Sequence, residues 1–106
     1  MPTHQSDLKS PCWAVIFTSV RTDADHGYAE TAERMIELAR SMPGFLGAES
    51  AREEIGITVS YWESPEAIEA WRNHPEHRAA QKRGREEWYA SFTTRVCRVD
   101  RESRFP

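Results

Sequence analysis

The segment from residue 71 to residue 89 contains the side chains that are best suited to chemistry. On a helix, His77 and Gln81 share one stripe with small or apolar side chains at positions 80, 84 and 88. An imidazole and a carboxamide on the inward stripe of a helix need hydrogen-bond partners. Two interpretations are open. Either His77 is a structural histidine that the fold satisfies, or it faces a pocket and there moves a proton or binds a ligand.

Other kinds of site have less support in the sequence. His74 and His77 are separated by Pro75, and no third ligand follows at a metal-binding spacing, so we predict no metal site. No motif supports a Ser-His-Asp or Cys-His nucleophile, and the five glycines are scattered singly rather than grouped in a phosphate loop. Cys12 and Cys97 fall on the first and last predicted strands, where core thiols are the simplest interpretation and a redox pair is the alternative.

Aromatic side chains flank the same segment. Trp62 ends a predicted strand just before the helix that contains Trp71, so both are candidate walls of one pocket mouth for a flat aromatic ligand. We predict that Trp88, in contrast, fills the core. The basic residues of this region alternate with acids, which argues against a nucleic-acid groove.

Length and composition limit the kind of protein. The chain has 106 residues, of which 39% are hydrophobic and 29% charged, with a formal net charge of −3. Those values suit one small domain, and they argue against a strongly basic nucleic-acid-binding module. No apolar run approaches the roughly 18–20 residues of a membrane span, and the first eleven residues contain no hydrophobic signal region. We expect a cytoplasmic protein with a flexible leader (1–11), one domain (12–101) and a short tail (102–106).

The pattern of hydrophobic, proline and glycine residues predicts six elements. They are a strand over 12–20, an amphipathic helix from about 28 to the Pro43-Gly44 stop, a hairpin of strands 45–52 and 57–62, a helix from Ser64-Pro65-Glu66 to about 88 that is interrupted at 73–76, and a last strand over 89–100.

This order, β-α-β-β-α-β, predicts an α+β fold: a ferredoxin-like sandwich in which both helices cover one face of a four-stranded antiparallel sheet. The first strand has bulky residues on both faces, however, with Trp13, Val15 and Phe17 on one and Ile16 on the other. A monomer would leave an apolar sheet face in water. We therefore predict a homodimer that packs sheet against sheet.

The run YWESPEAIEAW at 61–71, followed by His74, His77, Gln81, Gly84-Arg85 and Trp88-Tyr89, resembles the antibiotic biosynthesis monooxygenase family, and most closely its branch grouped with haem-degrading monooxygenases. The resemblance covers about residues 12–101. It implies a dimeric α/β barrel built from two ferredoxin-like sheets. It also implies one of two activities: oxidation of aromatic phenols or quinols by dioxygen without metal or flavin, or opening of a histidine-bound haem by an Asn–Trp–His set.

Only part of that haem set is present. The tryptophan of the set matches Trp71, but its histidine falls at Gln81, and its asparagine falls within 17–19, where the chain has Phe-Thr-Ser. We therefore expect no bound cofactor. Haem is the alternative, with His77 as a replacement axial ligand.

The resemblance and the residues together predict cofactor-independent oxygenation of a small aromatic or quinol substrate. The roles we assign are His77 as proton acceptor, Gln81 as orienting hydrogen-bond partner, Trp71 and Trp62 as pocket walls, and His74 and Arg85 as further substrate contacts. Arg85 either stabilises a developing phenolate or is a surface charge. A non-catalytic, stress-associated ligand-binding dimer is the remaining alternative.

Overall fold

Four antiparallel strands form one sheet in the computed structural model, which describes residues 11–106. The strands are β1 (Cys12–Arg21), β2 (Phe45–Arg52), β3 (Gly56–Trp62) and β4 (Tyr89–Val99), in the order β2-β3-β1-β4. The predicted hairpin and the ferredoxin-like order are confirmed, and each strand end lies within one residue of its predicted position. Apart from Pro11, the predicted leader lies outside the described residues.

Three helices lie on one face of the sheet: α1 (Tyr28–Arg40), α2 (Pro65–Arg72) and α3 (Pro75–Arg83). Helix α2 begins as its sequence predicts, because the Ser64 hydroxyl accepts a hydrogen bond from Ala67 N at 3.1 Å and Pro65 occupies the first turn. The predicted interruption is also present. Pro75 disfavours helical geometry at His74, whose backbone is extended (φ −60°, ψ 131°).

The helical backbone runs on to Trp88, as predicted, but its last turn differs in type. Residues Gly84–Trp88, which follow α3 directly, form one turn of π-helix instead of α-helix. Trp88 nevertheless becomes buried, with 2% of its surface exposed, so its predicted place in the core is confirmed. Its indole Nε1 has no hydrogen-bond partner among the described residues.

The core lies between the helices and one face of the sheet. Trp62, Ala39 and Ile68 form its centre, and partly buried side chains pack around them: Trp13, Val15, Met42, Phe45, Ala67 and Trp71. Trp62 is fully buried, and its ring meets that of Phe45 edge to face at 5.2 Å. Odd-numbered residues of β1 therefore face the helices, as the period of two along a strand requires.

The opposite face of the sheet, called here the open face, has no helix over it in residues 11–106 and carries apolar side chains interspersed with polar ones such as Arg95. On it, Ile57 is 45% exposed and Val20 39% exposed. Both cysteines lie on this face as free thiols: Cys12 pairs with Val99 across the ladder, and Cys97 pairs with Ala14. Burial, with the nearby Glu102 carboxylate, raises the pKa of the Cys12 thiol, which fits a core thiol.

Gly44, between α1 and β2, provides a test of the packing of α2 on this turn. Its φ is +86°, and a Cβ at this position would lie 2.7 Å from Ala67 Cβ. Gly27 has a similar φ of +81°, but a Cβ there would meet Glu30 Oε2 at an ordinary contact distance of 3.5 Å, so it is the matched control. We expect Gly27→Ala to lower the free energy of unfolding by about 1–2 kcal/mol and Gly44→Ala by about 2–4 kcal/mol in urea titrations. Equal losses would show that Ala67 does not crowd Gly44.

Candidate functional site

Three rings from three elements stack in series on the helix-covered side. Trp62 of β3 stacks on Trp71 of α2 at 6.1 Å and 25°, and Trp71 stacks on His77 of α3 at 4.0 Å and 14°. In one continuous helix, side chains six residues apart point in widely different directions, since each residue turns by about 100°. The break before Pro75 therefore brings His77 face to face with Trp71.

The backbone fixes the tautomer of His77. Its Nδ1 lies 3.0 Å from the carbonyl oxygen of Trp71, and because a carbonyl can only accept, Nδ1 must be the donor. In the neutral ring the lone pair then lies on Nε2, which makes no hydrogen bond to any described residue. The free nitrogen of this imidazole is thus an acceptor.

Burial lowers the pKa of the His77 imidazole below its ordinary value of 6.5, and the nearby His74 acts in the same direction. The hydrogen bond to Trp71 O opposes this shift in part. His77 is therefore neutral at pH 7. Its environment supplies both features of a general base, namely a free lone pair and a neutral resting state.

The other predicted site residues are placed unequally around His77. Gln81 Nε2 lies 3.3 Å from His77 Nδ1 and donates to Arg72 O at 3.4 Å. Because Nδ1 donates its hydrogen to Trp71 O, it cannot accept one from Gln81. The Gln81 amide therefore packs against the imidazole and donates to the backbone of α2. Trp62, being fully buried, supports Trp71 from behind and presents no surface to a ligand.

His74 and Arg85 are more distant from the expected chemistry. His74 Nδ1 accepts a hydrogen bond from Glu76 N at 3.2 Å, so this side chain caps α3. Its ring still lies 6.2 Å from that of Trp71. Arg85 is exposed and, with Gln81, lines a polar groove of about 620 Å³ between α2 and α3.

A second aromatic cluster, which the sequence analysis did not identify as a site, lies at the far end of β1. Tyr89 contacts Phe17 at 5.3 Å and Tyr28 at 5.9 Å, and its hydroxyl donates to that of Tyr28 at 3.4 Å. The guanidinium of Arg21 lies over the Tyr28 ring at 3.5 Å. Burial raises the pKa of Tyr89. The only sequence signal was the Trp88-Tyr89 pair in the run that resembles the family.

Between the two clusters, part of the helix-side floor of the sheet is uncovered. Its rows are Val15–Val96, Phe17–Thr94 and Ser19–Phe92, and we call this strip the trough. In the last row Phe92 is exposed, whereas Ser19 is buried beneath the Arg52 side chain. Val96 is 53% exposed and Phe92 38% exposed, although both belong to the helix-facing side. Val15 and Trp71 pack against the same core cluster, so the ring stack borders one end. The four residue steps from Val15 to Ser19 make the trough about 13 Å long.

A second groove lies outside the trough, between α1 and α3, with a volume of about 410 Å³. Arg34 and Glu76 bridge it with two hydrogen bonds of 3.0 Å each. This pair joins α1 to α3 and holds the pKa of Glu76 below its ordinary range.

Two further kinds of feature are absent from residues 11–106. No group of three or more His, Cys, Asp or Glu side chains is arranged there to hold a metal ion. None of the helices in that range combines the length and the apolar character that crossing a membrane would require.

Comparison with known proteins agrees with this architecture. An uncharacterised Bacillus subtilis protein, YqjZ, is 57% identical over 97 residues, which cover 90% of this chain and 85% of that protein. Protein SO0527 of Shewanella oneidensis has a similar fold, with a TM-score of 0.74 at 9% identity, covering 88% of this chain and 95% of that one. A candidate antibiotic biosynthesis monooxygenase from Nitrosomonas europaea superposes with a TM-score of 0.71 at 12% identity, covering 87% and 93%.

The family itself follows from the sequence match. The model of the antibiotic biosynthesis monooxygenase family matches residues 12–83, which run from β1 to the end of α3 and include the whole ring stack. The resemblance carried by residues 61–89 is therefore confirmed, and the chain belongs to the antibiotic biosynthesis monooxygenase family.

Proposed function

We propose that this protein is a monooxygenase that oxidises a small aromatic or quinol substrate with dioxygen and needs neither a metal nor a flavin. Family membership supports the oxygenase class. The observation that carries the rest is His77, a neutral imidazole held against Trp71 with Nδ1 occupied and Nε2 free.

The chemistry requires little more than a base and an apolar surface that orients the substrate. Loss of a proton to Nε2 turns an electron-rich phenol or anthrone into an anion that can itself reduce dioxygen. For an anthrone, the CH₂ group becomes a carbonyl with one oxygen atom, and the second oxygen atom leaves as water with the two hydrogens. The protein contributes orientation and the proton acceptor.

The trough is the surface we assign to the substrate ring. Its floor is apolar at Val15, Phe17 and Val96, and the Trp71 side chain, whose two faces are taken by Trp62 and His77, borders one end. Flat apolar walls with few polar groups favour a planar ligand. A ring on this floor brings its hydroxyl towards the His77 end.

The residues do not fit the family's haem set. Gln81 stands where that set has its histidine, and its amide packs beside His77. The part of β1 that corresponds to the asparagine has Phe17, whose ring is engaged by Tyr89 and Phe92. We derive no haem-dependent step from these side chains.

We also propose that two chains pack through their open faces. The helices leave Val20 and Ile57 exposed on that side, and a second copy would remove them from water. Because the trough lies on the other face of the sheet, such a dimer leaves it accessible to a substrate.

The oxygenase proposal is tested by oxygen uptake with a panel of quinols and anthrones. We expect uptake by the native protein and a fall of about 10²–10⁴-fold in His77→Gln, because the base is lost. His26→Gln, a surface histidine that pairs with Glu87, is the control and should retain activity. Uptake unchanged in His77→Gln would remove His77 from the mechanism. No oxygen uptake with any compound would favour the non-catalytic ligand-binding dimer. In a separate hemin titration, the appearance of a Soret band would favour haem binding.

The environment of His77 makes a separate prediction about pH. Its imidazole should titrate below pH 6.5 by NMR, and kcat/KM should fall with that same midpoint as the pH is lowered. Trp71→Ala removes the covering ring and should move the titration towards 6.5. Since the unfolded chain binds this proton first as pH falls, protonation of His77 lowers the stability of the fold in acid. A midpoint at or above 6.5 in the native protein contradicts the burial argument.

Sedimentation velocity tests the dimer. We expect the native chain to sediment as a dimer at micromolar concentration, and Val20→Glu with Ile57→Glu to sediment as a folded monomer, because each added carboxylate would be buried at the interface. Ile55→Glu, in the β2–β3 turn and 58% exposed, is the matched control and should stay dimeric. A native monomer would refute the interface.

A further inference from the structure

One row of the sheet carries a polar arrangement at the end of the trough far from His77. Four residues lie directly opposite one another in register across the helix-facing side: Arg52 of β2, Gly56 of β3, Ser19 of β1 and Phe92 of β4. The side chain of Arg52 crosses over Gly56 and reaches Ser19, to which its guanidinium donates. A Cβ at Gly56 would overlap that guanidinium, so this crossing requires glycine.

The hydrogen-bond donors of this row exceed its acceptors. A guanidinium can only donate, so the Ser19 oxygen accepts from Arg52 Nη2, and Nη1 lies 3.5 Å from Ser19 O. The Ser19 hydroxyl, on a residue only 2% exposed, then has no acceptor for its own hydrogen among the described residues. A buried donor without an acceptor is costly, and a ligand oxygen would remove that cost.

Arg52 also has no carboxylate partner within the described part of the chain. The described ion pairs engage other cations: His26, Arg34, Arg83 and Arg98. A second guanidinium, that of Arg21, donates hydrogen bonds to Trp88 O and Ala24 O and lies over the Tyr28 ring. Both arginines act on the Tyr89 hydroxyl as nearby positive charges. This end of the trough is therefore positive, and it lacks an anion.

We propose that Arg52 and Ser19 bind the carboxylate of an aromatic substrate whose ring lies along the trough on Phe17 and Phe92. The two carboxylate oxygens would accept from the guanidinium and from the Ser19 hydroxyl, a charge-assisted arrangement that arginine favours. This inference rests on the proposed function for the position of the ring. It narrows the substrate class to aromatic or quinol compounds that carry a carboxylate at the end remote from His77.

Calorimetric titration under nitrogen, with cinnamate and its neutral amide cinnamamide, tests the proposal without turnover. The native protein should bind cinnamate about ten-fold or more tightly than cinnamamide. Arg52→Gln should abolish this preference and leave cinnamamide binding unchanged. Gly56→Ala should also weaken the preference for cinnamate, because the displaced guanidinium keeps its charge but loses its hydrogen bond to Ser19. Arg78→Gln, an exposed arginine of α3, is the control and should bind like the native protein.

The outcomes separate this inference from the oxygenase proposal. Equal binding of acid and amide, binding of neither, or an undiminished preference in Arg52→Gln would each overturn the carboxylate site. Arg52 is exposed, so its variant should fold, and circular dichroism checks this for both variants. If Gly56→Ala does not fold, the binding preference measured for Arg52→Gln is sufficient to decide whether the carboxylate site exists. A carboxylate preference without oxygen uptake would refute only the oxygenase, whereas uptake of neutral quinols without that preference would refute only the carboxylate site.

Discussion

The stacking of His77 on Trp71 depends on the interruption between α2 and α3, and the rest of the site depends on that stacking. Pro75 cannot continue the hydrogen bonding of α2, so the chain turns at Asn73 and His74 and begins a new helix. Six residues of separation then become a face-to-face contact of 4.0 Å. The same turn places the Trp71 carbonyl on His77 Nδ1, so one backbone feature sets the position, the tautomer and the burial of the imidazole.

The two faces of the sheet have separate roles because alternate residues of β1 point in opposite directions. The helix-facing side supplies the core at Trp13 and the trough from Val15 to Ser19. The open face supplies two free thiols and apolar side chains interspersed with polar ones such as Arg95. A shift of one residue in register would exchange these sets, so the β1–β3 and β1–β4 ladders together determine which side chains line the trough.

Local patterns in the sequence were sufficient for the strands, for the start of α2 and for the burial of Trp88, because unbroken apolar runs, proline and a hydroxyl cap act over a few residues. They also placed His77 and Gln81 on one stripe. They did not reveal that Trp62 is hidden behind Trp71, because exposure depends on what packs from other elements. The Arg52–Ser19 contact was equally hidden, since the two residues are 33 positions apart and meet only through register and the missing side chain of Gly56.

The two ends of the trough act independently for an electrostatic reason. Their separation of about 13 Å exceeds the Debye length of about 8–10 Å at physiological ionic strength, so a charge at Arg52 has little effect on His77 across a solvent-open floor. The pKa of His77 is set by burial, by Trp71 O and by His74, all at its own end of the trough. In the proposed binding mode, the charged guanidinium would hold an anion at one end while the imidazole at the other stays neutral. A substrate with both a carboxylate and an acidic hydroxyl would then bind in a single direction, with the hydroxyl towards the base.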